Sequence, residues 1–245
     1  MWGALASLAA GTATGIGAIP VLFGRDYGRR SLDLMLGFAA GVMLAASAFS
    51  LLVPALEHEF GGVWVTALGF GLGGVFLVLA DKLIPHDHFM KGHEGPSSGM
   101  ERIWLLVLAI TIHNFPEGLA VGVAFGSADA ATGTAIAIAI GMQNIPEGLA
   151  VAMPLVREGW TRARAAGLAL MTGLVEPVGG LLGVSVVSIS TFLLPYGLAF
   201  AAGAMVYVVS SEMIPESHSG GYERFATVGV MIGFIIMMVL DNVFG

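Results

Sequence analysis

The sequence has no cysteine and very little charge. Without cysteine there can be no disulfides, no thiolate metal sites and no thiol catalysis. Only 11% of the 245 residues are charged, whereas a soluble domain averages about 25%. The net charge of −7 also argues against nucleic acid as a partner. An ordinary soluble globule is therefore excluded, because most of this chain has too few charges to face water.

Apolar residues make up 56% of the sequence, and the mean hydropathy is +0.87. A membrane span needs about 20 residues and a short connection about 5–10, so the length predicts about eight spans and no separate soluble domain. We predict an all-α, polytopic membrane protein with a single transmembrane domain over residues 1–245 and one longer polar loop at 82–101. The predicted spans are 1–23, 32–56, 61–81, 102–126, 130–156, 163–189, 193–214 and 225–243.

The ten basic residues are confined to alternate loops. They follow span one, span three and span five or precede span eight, and they are Arg25, Arg29, Arg30, Lys82, Lys91, Arg102, Arg157, Arg162, Arg164 and Arg224. The positive-inside rule places these loops in the cytoplasm and both termini outside. Because no basic residue precedes the first apolar stretch, we interpret residues 1–23 as an uncleaved span rather than a signal peptide.

Three carboxylates lie deep inside predicted spans, where charge is costly. Glu117, Glu147 and Glu176 fall in spans four, five and six, and His113 lies near Glu117. A charge at the bilayer centre costs about 2.5–3.5 kcal/mol on insertion scales. No lysine or arginine occurs at that depth, so the partner of these carboxylates must be a proton or a cation. The other acidic residues lie near span ends or in loops, where we expect ordinary solvated groups.

A nine-residue motif occurs twice, 30 residues apart. Residues 113–121 read HNFPEGLAV and residues 143–151 read QNIPEGLAV. Residues three and four apart on a helix lie on one face. Each glutamate therefore shares a face with the two polar residues before it: Glu117 with His113 and Asn114, and Glu147 with Gln143 and Asn144. The prolines before the glutamates, Pro116 and Pro146, predict a local opening of each helix. Glu176-Pro177 in span six is a candidate third wall of the same cluster.

Imidazole, carboxylate and carboxamide ligands suit Zn²⁺ and divalent iron, manganese or cobalt, and the lack of thiolates disfavours copper(I). Three function classes remain open on this pattern. The first is a divalent-metal transporter. The second is an intramembrane zinc-dependent hydrolase, although the sequence lacks the His-Glu-x-x-His motif. The third is a proton or cation pathway in which the carboxylates act as relays.

The two motif copies resemble the signature of the ZIP (ZRT/IRT-like) divalent-metal transporters, in particular their bacterial GufA-like branch. Further similarity lies in the segments 35–41, 176–177 and 212–216 and in Asp241, so the resemblance covers essentially the whole chain. It implies eight helices in a 3+2+3 inverted repeat. It also implies uptake of zinc, with Cd²⁺, Fe²⁺, Mn²⁺ or Co²⁺ as further substrates, across the cell (inner) membrane. Alternating access, through movement of spans one, four, five and six against the rest, and a homodimer are further expectations.

The resemblance also implies which side chains bind the transported metal. A first site would use His113, Glu117, Gln143 and Glu147, with Met35 nearby. A second, adjoining site would use Asn114, Glu117, Asn144, Glu147 and Glu176. Close relatives can have aspartate in place of Asn144, and the loss of that charge should weaken the second site.

The predicted cytoplasmic loop contains His86, His88 and His93 together with Asp87 and Glu94. It is either a solvated linker or, as the resemblance implies, a segment that receives or senses metal. Glu216 and His218 at the inner end of span seven are candidates for an exit route. Ser211 and Glu212 are weaker candidates.

Overall fold

The computed structural model describes residues 2–24, 27–88, 92–126 and 130–244, and these contain eight helical spans long and apolar enough to cross a membrane. In chain order the spans are Trp2–Leu22, Arg29–Glu57, Val63–Leu83, Arg102–Gly126, Ala130–Arg157, Arg162–Ile189, Thr191–Ser217 and Glu223–Phe244. They correspond one to one to the predicted spans and are called spans one to eight. The predicted all-α, polytopic membrane fold is confirmed. Arg25 and Lys91, used in predicting the orientation, lie outside the described residues.

Spans two, six and seven are interrupted, and each interruption is followed by a proline. Span two consists of Arg29–Ala45, a π-helical segment Ala46–Leu52 and Val53–Glu57, which contains Pro54. Span seven consists of a 3₁₀ turn Thr191–Leu193, then Leu194–Val208, a π-helical segment Val209–Met213 and Ile214–Ser217, which contains Pro215. Span six divides into Arg162–Gly173 and Glu176–Ile189, with Pro177 at the second start. Proline has no N–H to donate, which favours a change of helix type at these points.

Spans four and five, in contrast, stay helical through Pro116 and Pro146, the prolines at which we expected the helices to open.

The spans pack in five principal pairs: one with five, one with six, four with six, three with seven, and two with eight. The central core is apolar and is formed by side chains of spans two, four, five and seven, including Met43, Leu119, Ile140 and Met205. Spans three and eight carry rows of exposed apolar side chains such as Leu72 and Ile235. In an eight-span membrane protein such exposed rows face lipid.

The glycine that follows the glutamate in each motif copy is a point of close backbone approach. A Cβ on Gly118 would overlap the carbonyl oxygen of Glu176 in span six, and a Cβ on Gly148 would overlap that of Thr14 in span one. Small residues let helix backbones approach closely in membranes. These two glycines therefore fix spans four and five against spans six and one directly beside the polar cluster.

The loop between spans three and four contains a short antiparallel hairpin that the sequence did not predict. Strand β1, His86–His88, pairs with β2, Gly92–Glu94, with His86 opposite Glu94. The hairpin packs on span four, and His86 is fully buried. A solvated linker is therefore the wrong interpretation of the hairpin, whereas residues 95–101 of the same loop are exposed. The side chain of His88 lies outside the described residues.

Several of the loops that carry basic residues meet at one end of the molecule. Arg157 donates to the carbonyl of Tyr27 (3.3 Å), and Arg29 donates to Ser219 Oγ (2.6 Å). Arg29 also forms ion pairs with Asp33 (Nε–Oδ1 2.9 Å) and with Glu216 (Nη2–Oε1 3.4 Å). Loops that are far apart in sequence are thus joined at the end we predicted to be cytoplasmic.

Candidate metal centre

The polar residues of the two motif copies meet between spans four, five and six, as predicted. Glu117 and Glu176 are buried, and the charge of Glu117 interacts with those of Glu147 and Glu176. The carboxamides that accompany them are almost completely buried, and they belong to Asn114, Gln143 and Asn144. His113 and Glu147 are largely but not completely buried.

Several oxygen atoms of the cluster have no hydrogen-bond partner among the described residues. They include Glu117 Oε2, Glu147 Oε1 and Glu176 Oε2, and the same holds for both polar atoms of the Asn114 side chain. Buried polar atoms without partners are rare in native proteins and costly. Buried carboxylate oxygens without hydrogen-bond partners can bind a cation.

The carboxylate of Glu176 accepts a hydrogen bond from the Asn144 side chain. Asn144 Nδ2 donates to Glu176 Oε1 (2.6 Å) and to the carbonyl oxygen of Ala10 in span one (2.8 Å). The hydrogen bonds of Asn144 therefore connect span five to spans six and one.

The imidazole of His113 contacts an acidic residue from span seven. Its Nε2 lies 2.8 Å from Glu212 Oε1, and both side chains are largely buried. Glu212 lies within the π-helical segment Val209–Met213, a type of segment that is often found at functional sites. The sequence indicated Glu212 only weakly, because it lies near the end of the predicted span. The signal that could have raised its rank is its place three residues before Pro215.

Other acidic residues near span ends are also buried rather than solvated. Asp33 is fully buried beside Arg29, and Asp81 is 7% exposed. Our expectation of ordinary surface groups was therefore wrong for these two residues. Each has a polar contact that compensates for its burial, as buried charges generally require.

A cavity of about 380 Å³ leads from the cluster to the end of the molecule where the basic loops meet. His113, Asn114, Glu117, Glu147 and Glu212 lie along it, and Arg29, Asp87, Arg157, Glu158 and Glu216 surround its polar mouth. Gln143, Asn144 and Glu176 are not among the residues that line it. The cavity therefore reaches one part of the cluster and leaves another part enclosed.

Met35 lines a different space. With Phe38, Met142, Pro146 and Ile232 it forms an apolar crevice between spans two, five and eight. Its assignment as a nearby metal ligand stays a prediction.

A second group of metal-ligating side chains lies at the hairpin. One ligand atom from each of Asp81, His86 and Glu94 falls within 4.8 Å of the others. His86 Nε2 is 3.5 Å from Asp81 Oδ1 and 3.9 Å from Glu94 Oε2, while its Nδ1 lies 2.7 Å from the carbonyl oxygen of Ile84. A hydrogen bond from Nδ1 to a carbonyl leaves the Nε2 lone pair directed at the carboxylates, as in many metal-binding histidines.

Tyr207 and His93 hold the surroundings of this second group in place. The hydroxyl of Tyr207 donates to Asp81 Oδ2 (2.6 Å). His93 Nδ1 lies 2.7 Å from Asp87 Oδ1, and its Nε2 lies 3.2 Å from the carbonyl oxygen of Pro96. The hydrogen bond to Asp87, followed by that to Pro96, raises the pKa of His93 above its ordinary value.

The remaining predicted exit residues differ in their surroundings. Glu216 lies at the cavity mouth beside Arg29. His218 is within hydrogen-bonding distance of Ser217, Ile214 and Thr227, and it does not line the cavity. The Ser211 hydroxyl is buried without a partner in the part of the chain that the structure describes.

Eight apolar spans around a buried group of carboxylates, carboxamides and an imidazole define a polytopic membrane protein with a candidate cation site. The family model described as "ZIP Zinc transporter" matches residues 85–241, and the chain belongs to this family.

Curated relatives match along nearly the whole chain. The zinc transporter GufA of Myxococcus xanthus is 50% identical over 99% of both chains. The zinc transporter ZIPB of Bordetella bronchiseptica is 44% identical over 95% of this chain and 78% of its own length. Human zinc transporter ZIP11 is 38% identical over 93% of each chain. The predicted membership of the GufA-like branch is confirmed.

Proposed function

We propose that this protein carries Zn²⁺ across the cell (inner) membrane into the cytoplasm, binding it at the carboxylate cluster of spans four to six. The observation that carries the proposal is the set of buried carboxylate oxygens without partners at the inner end of the cavity. Family membership and the relatives named as zinc transporters support the same function. Cd²⁺, Fe²⁺, Mn²⁺ and Co²⁺ are further candidate substrates, because the same nitrogen and oxygen ligands suit them.

In this proposal Glu117 and Glu147 provide the negative charge that holds the ion, and His113 and Gln143 complete its ligands. Asn114, Asn144 and Glu176 form the adjoining wall, and Met35 stays a predicted neighbour. His113 Nε2 lies beside Glu212 Oε1, so we infer that a bound ion competes with Glu212 for the imidazole of His113. The released carboxylate of Glu212 then lies beside the ion on its way out.

The cavity opens at the end of the molecule that we propose to be cytoplasmic. Its mouth includes Arg29 and Arg157, which belong to the loops that the positive-inside rule places in the cytoplasm. With both termini outside, this is an inward-open state. The group Asp81–His86–Glu94 lies at the same end. We propose that it receives the ion that the transport site releases towards the cytoplasm.

The distribution of close backbone contacts supports a movement of one group of spans against the others, which would open the site to either side of the membrane in turn. Among the described residues, glycines that bring two backbones together join spans one, four, five and six to each other, span two to span eight, and span three to span seven. No such glycine contact joins the first group to the other four spans in the part of the chain described. We propose that spans one, four, five and six move as a unit against the rest.

The principal span pairs are those that the proposed inverted repeat would produce. The repeat exchanges spans one to three with spans six to eight, and span four with span five. This exchange converts the pair two–eight into seven–three and the pair one–five into six–four, and it leaves the pair one–six unchanged. A homodimer stays a prediction from the resemblance.

The alternatives lack such support. The relatives are named transporters rather than enzymes, and an intramembrane hydrolase is not supported. A pure proton pathway would need no divalent ion, and the uptake experiment distinguishes it.

The test is uptake of radioactive zinc by proteoliposomes containing the purified protein. We expect Glu147→Ala to reduce the initial rate at least tenfold, because the ion loses one of its two principal charges. The matched control is Glu59→Ala, which removes an exposed glutamate from the loop between spans two and three. Equal uptake by the Glu147→Ala variant and the unmodified protein would contradict the assigned site. An absence of zinc uptake together with proton flux would favour the proton pathway.

A further inference from the structure

The cavity has the size of a small-molecule binding site. Its volume is about 380 Å³. Ligand pockets in proteins have volumes of about 300–1,000 Å³, and their walls are mostly apolar with a few polar groups that orient the ligand. A cavity of about 150 Å³ is already large enough for a benzene ring. An organic molecule considerably larger than a metal ion therefore fits inside.

The walls between the mouth and the carboxylate cluster are apolar. Spans two and seven contribute Leu32, Leu36 and Val208, and spans four and five contribute Leu106 and Val151. All five side chains are otherwise buried. The walls thus come from both groups of spans that we propose to move against each other, and a molecule between them would contact both groups.

Carboxylate oxygens without partners lie at the inner end of the cavity. Glu117 and Glu147 both line it, and among the described residues Glu117 Oε2 and Glu147 Oε1 have no hydrogen-bond partner. The Glu117 side chain is almost completely buried. A guanidinium or amidinium group is positively charged and presents its N–H donors in a plane that matches carboxylate geometry. The inner end therefore fits the head of an organic cation.

The mouth of the cavity admits a positively charged molecule. Asp87, Glu158 and Glu216 lie there together with Arg29 and Arg157. Arg29 is paired with Glu216 (Nη2–Oε1 3.4 Å), so its charge is compensated. Acidic groups outnumber basic groups among these described residues, and a cation can pass them from the proposed cytoplasmic side.

We propose that the cavity binds an organic cation with a guanidinium or amidinium head and a short apolar body, and that this molecule blocks the departure of the metal ion. The head lies at Glu117 and Glu147. The body packs against the walls from both groups of spans and holds them apart. Binding of the organic cation does not require transport, whereas the block rests on the proposed transport function.

A series of alkylguanidinium ions measures the contributions of the head and the body. Ethyl-, butyl- and hexylguanidinium are titrated by calorimetry into the purified, metal-free full-length protein. We expect the affinity to rise about fourfold for each added methylene, which corresponds to ~0.8 kcal/mol of burial. Hexylurea has the same planar shape without the charge and should bind at least about tenfold more weakly, because its hydrogen bonds to the carboxylates are not charge-assisted. Equal affinities across the series, or for hexylguanidinium and hexylurea, would overturn the proposal.

The variant Ala109→Phe tests where the organic cation binds. Ala109 lines the cavity and is almost completely buried, so a phenyl ring there occupies the space of the apolar body. We expect hexylguanidinium to bind at least about tenfold more weakly, while zinc binding, which needs less space, is retained. The matched control is Ala67→Phe on the exposed face of span three, which should bind hexylguanidinium as the unmodified protein does. Equal binding by the two variants would overturn the assigned position.

Competition with zinc tests the same position without any substitution, and it decides the matter if Ala109→Phe does not fold. Saturating Zn²⁺ should weaken hexylguanidinium binding to the unmodified protein, because the ion and the head use the same carboxylates. Binding that zinc does not affect would contradict a head at Glu117 and Glu147.

Zinc uptake by proteoliposomes tests the block. Hexylguanidinium on both sides of the membrane, at about ten times its dissociation constant, leaves about a tenth of the sites free, so the initial rate should fall about tenfold. The same concentration of hexylurea should leave the rate unchanged. Binding of hexylguanidinium without slower uptake would overturn the block. A protein that binds hexylguanidinium and takes up no zinc in its absence would contradict the proposed transport function and not the binding site.

Discussion

At the scale of single residues, hydrogen-bond geometry distinguishes side chains that the sequence presents as equivalent. Glu117, Glu147 and Glu176 are all glutamates inside apolar spans, yet only Glu176 is bonded to a carboxamide that also bonds to span one. His113 belongs to the same cluster and faces a carboxylate of span seven. The chemistry of each group depends on partners that lie far away in sequence.

His93 provides a residue-scale prediction about pH. Both ring nitrogens face acceptors, Asp87 Oδ1 and the Pro96 carbonyl, so the doubly protonated imidazolium is the form that satisfies both. Its folded-state pKa is raised above the ordinary value of about 6.5. The stabilisation of the hairpin by this pair is therefore fully present below that ordinary value, and it is lost as pH rises through the raised pKa.

An NMR titration of His93 in detergent measures this directly. We expect a midpoint above about 6.5 in the unmodified protein and a lower midpoint in the Asp87→Asn variant. A midpoint that does not respond to Asp87→Asn would show that the carboxylate is not the cause.

At the scale of helices, glycines rather than large side chains determine how the spans around the cluster meet. Gly118 and Gly148 bring backbones together where a Cβ would overlap a carbonyl oxygen. Such contacts leave no rotamer that could relieve a clash, so helix positions near the cluster are fixed within narrow limits.

Adding one methyl group tests this. We expect Gly118→Ala to destabilise the protein by about 1–3 kcal/mol, as overpacking typically does, because span four must move away from Glu176. The measurement is thermal unfolding in detergent, followed by intrinsic fluorescence.

The matched control for Gly118→Ala is Gly71→Ala in span three, where a Cβ would meet nothing within 4 Å. This control should leave the unfolding temperature unchanged or slightly higher. Equal behaviour of the two variants would contradict the close approach at Gly118.

At the scale of the whole molecule, the cavity opens at one end of the span bundle. It opens among Arg29, Arg157 and Glu158, while the loop that contains Glu59 lies between spans two and three and carries no basic residue. The orientation can be tested without prior mutagenesis, because the sequence has no cysteine.

Single cysteines at two exposed glutamates report this orientation. We expect Glu158→Cys to react with a membrane-impermeant thiol reagent only from the cytoplasmic side, and Glu59→Cys only from outside. The measurement is labelling of intact cells compared with inside-out vesicles. Labelling of both positions from the same side would contradict the eight-span topology.

The sequence alone predicted the eight spans and the residues of the cluster for clear physical reasons. Apolar runs of about 20 residues have few alternatives to a membrane helix, and Glu117, Glu147 and Glu176 are conspicuous in such runs. Glu212 was underestimated because nothing in its own sequence places it against His113. The hairpin was missed because its strands have three residues each. Asn144 donates two hydrogen bonds, and one of them goes to a carbonyl 134 residues away in the sequence. The periodicity of the sequence cannot indicate such a partner.

The size of the cavity also bears on how an ion leaves its water shell. A water molecule occupies about 30 Å³ in the liquid, so a space of about 380 Å³ has room for on the order of ten of them. An ion at Glu117 and Glu147 can thus keep part of its hydration on the cavity side while protein oxygens replace the rest. An ion that keeps part of its hydration has fewer protein ligands to lose when it departs, and this favours rapid release in each cycle.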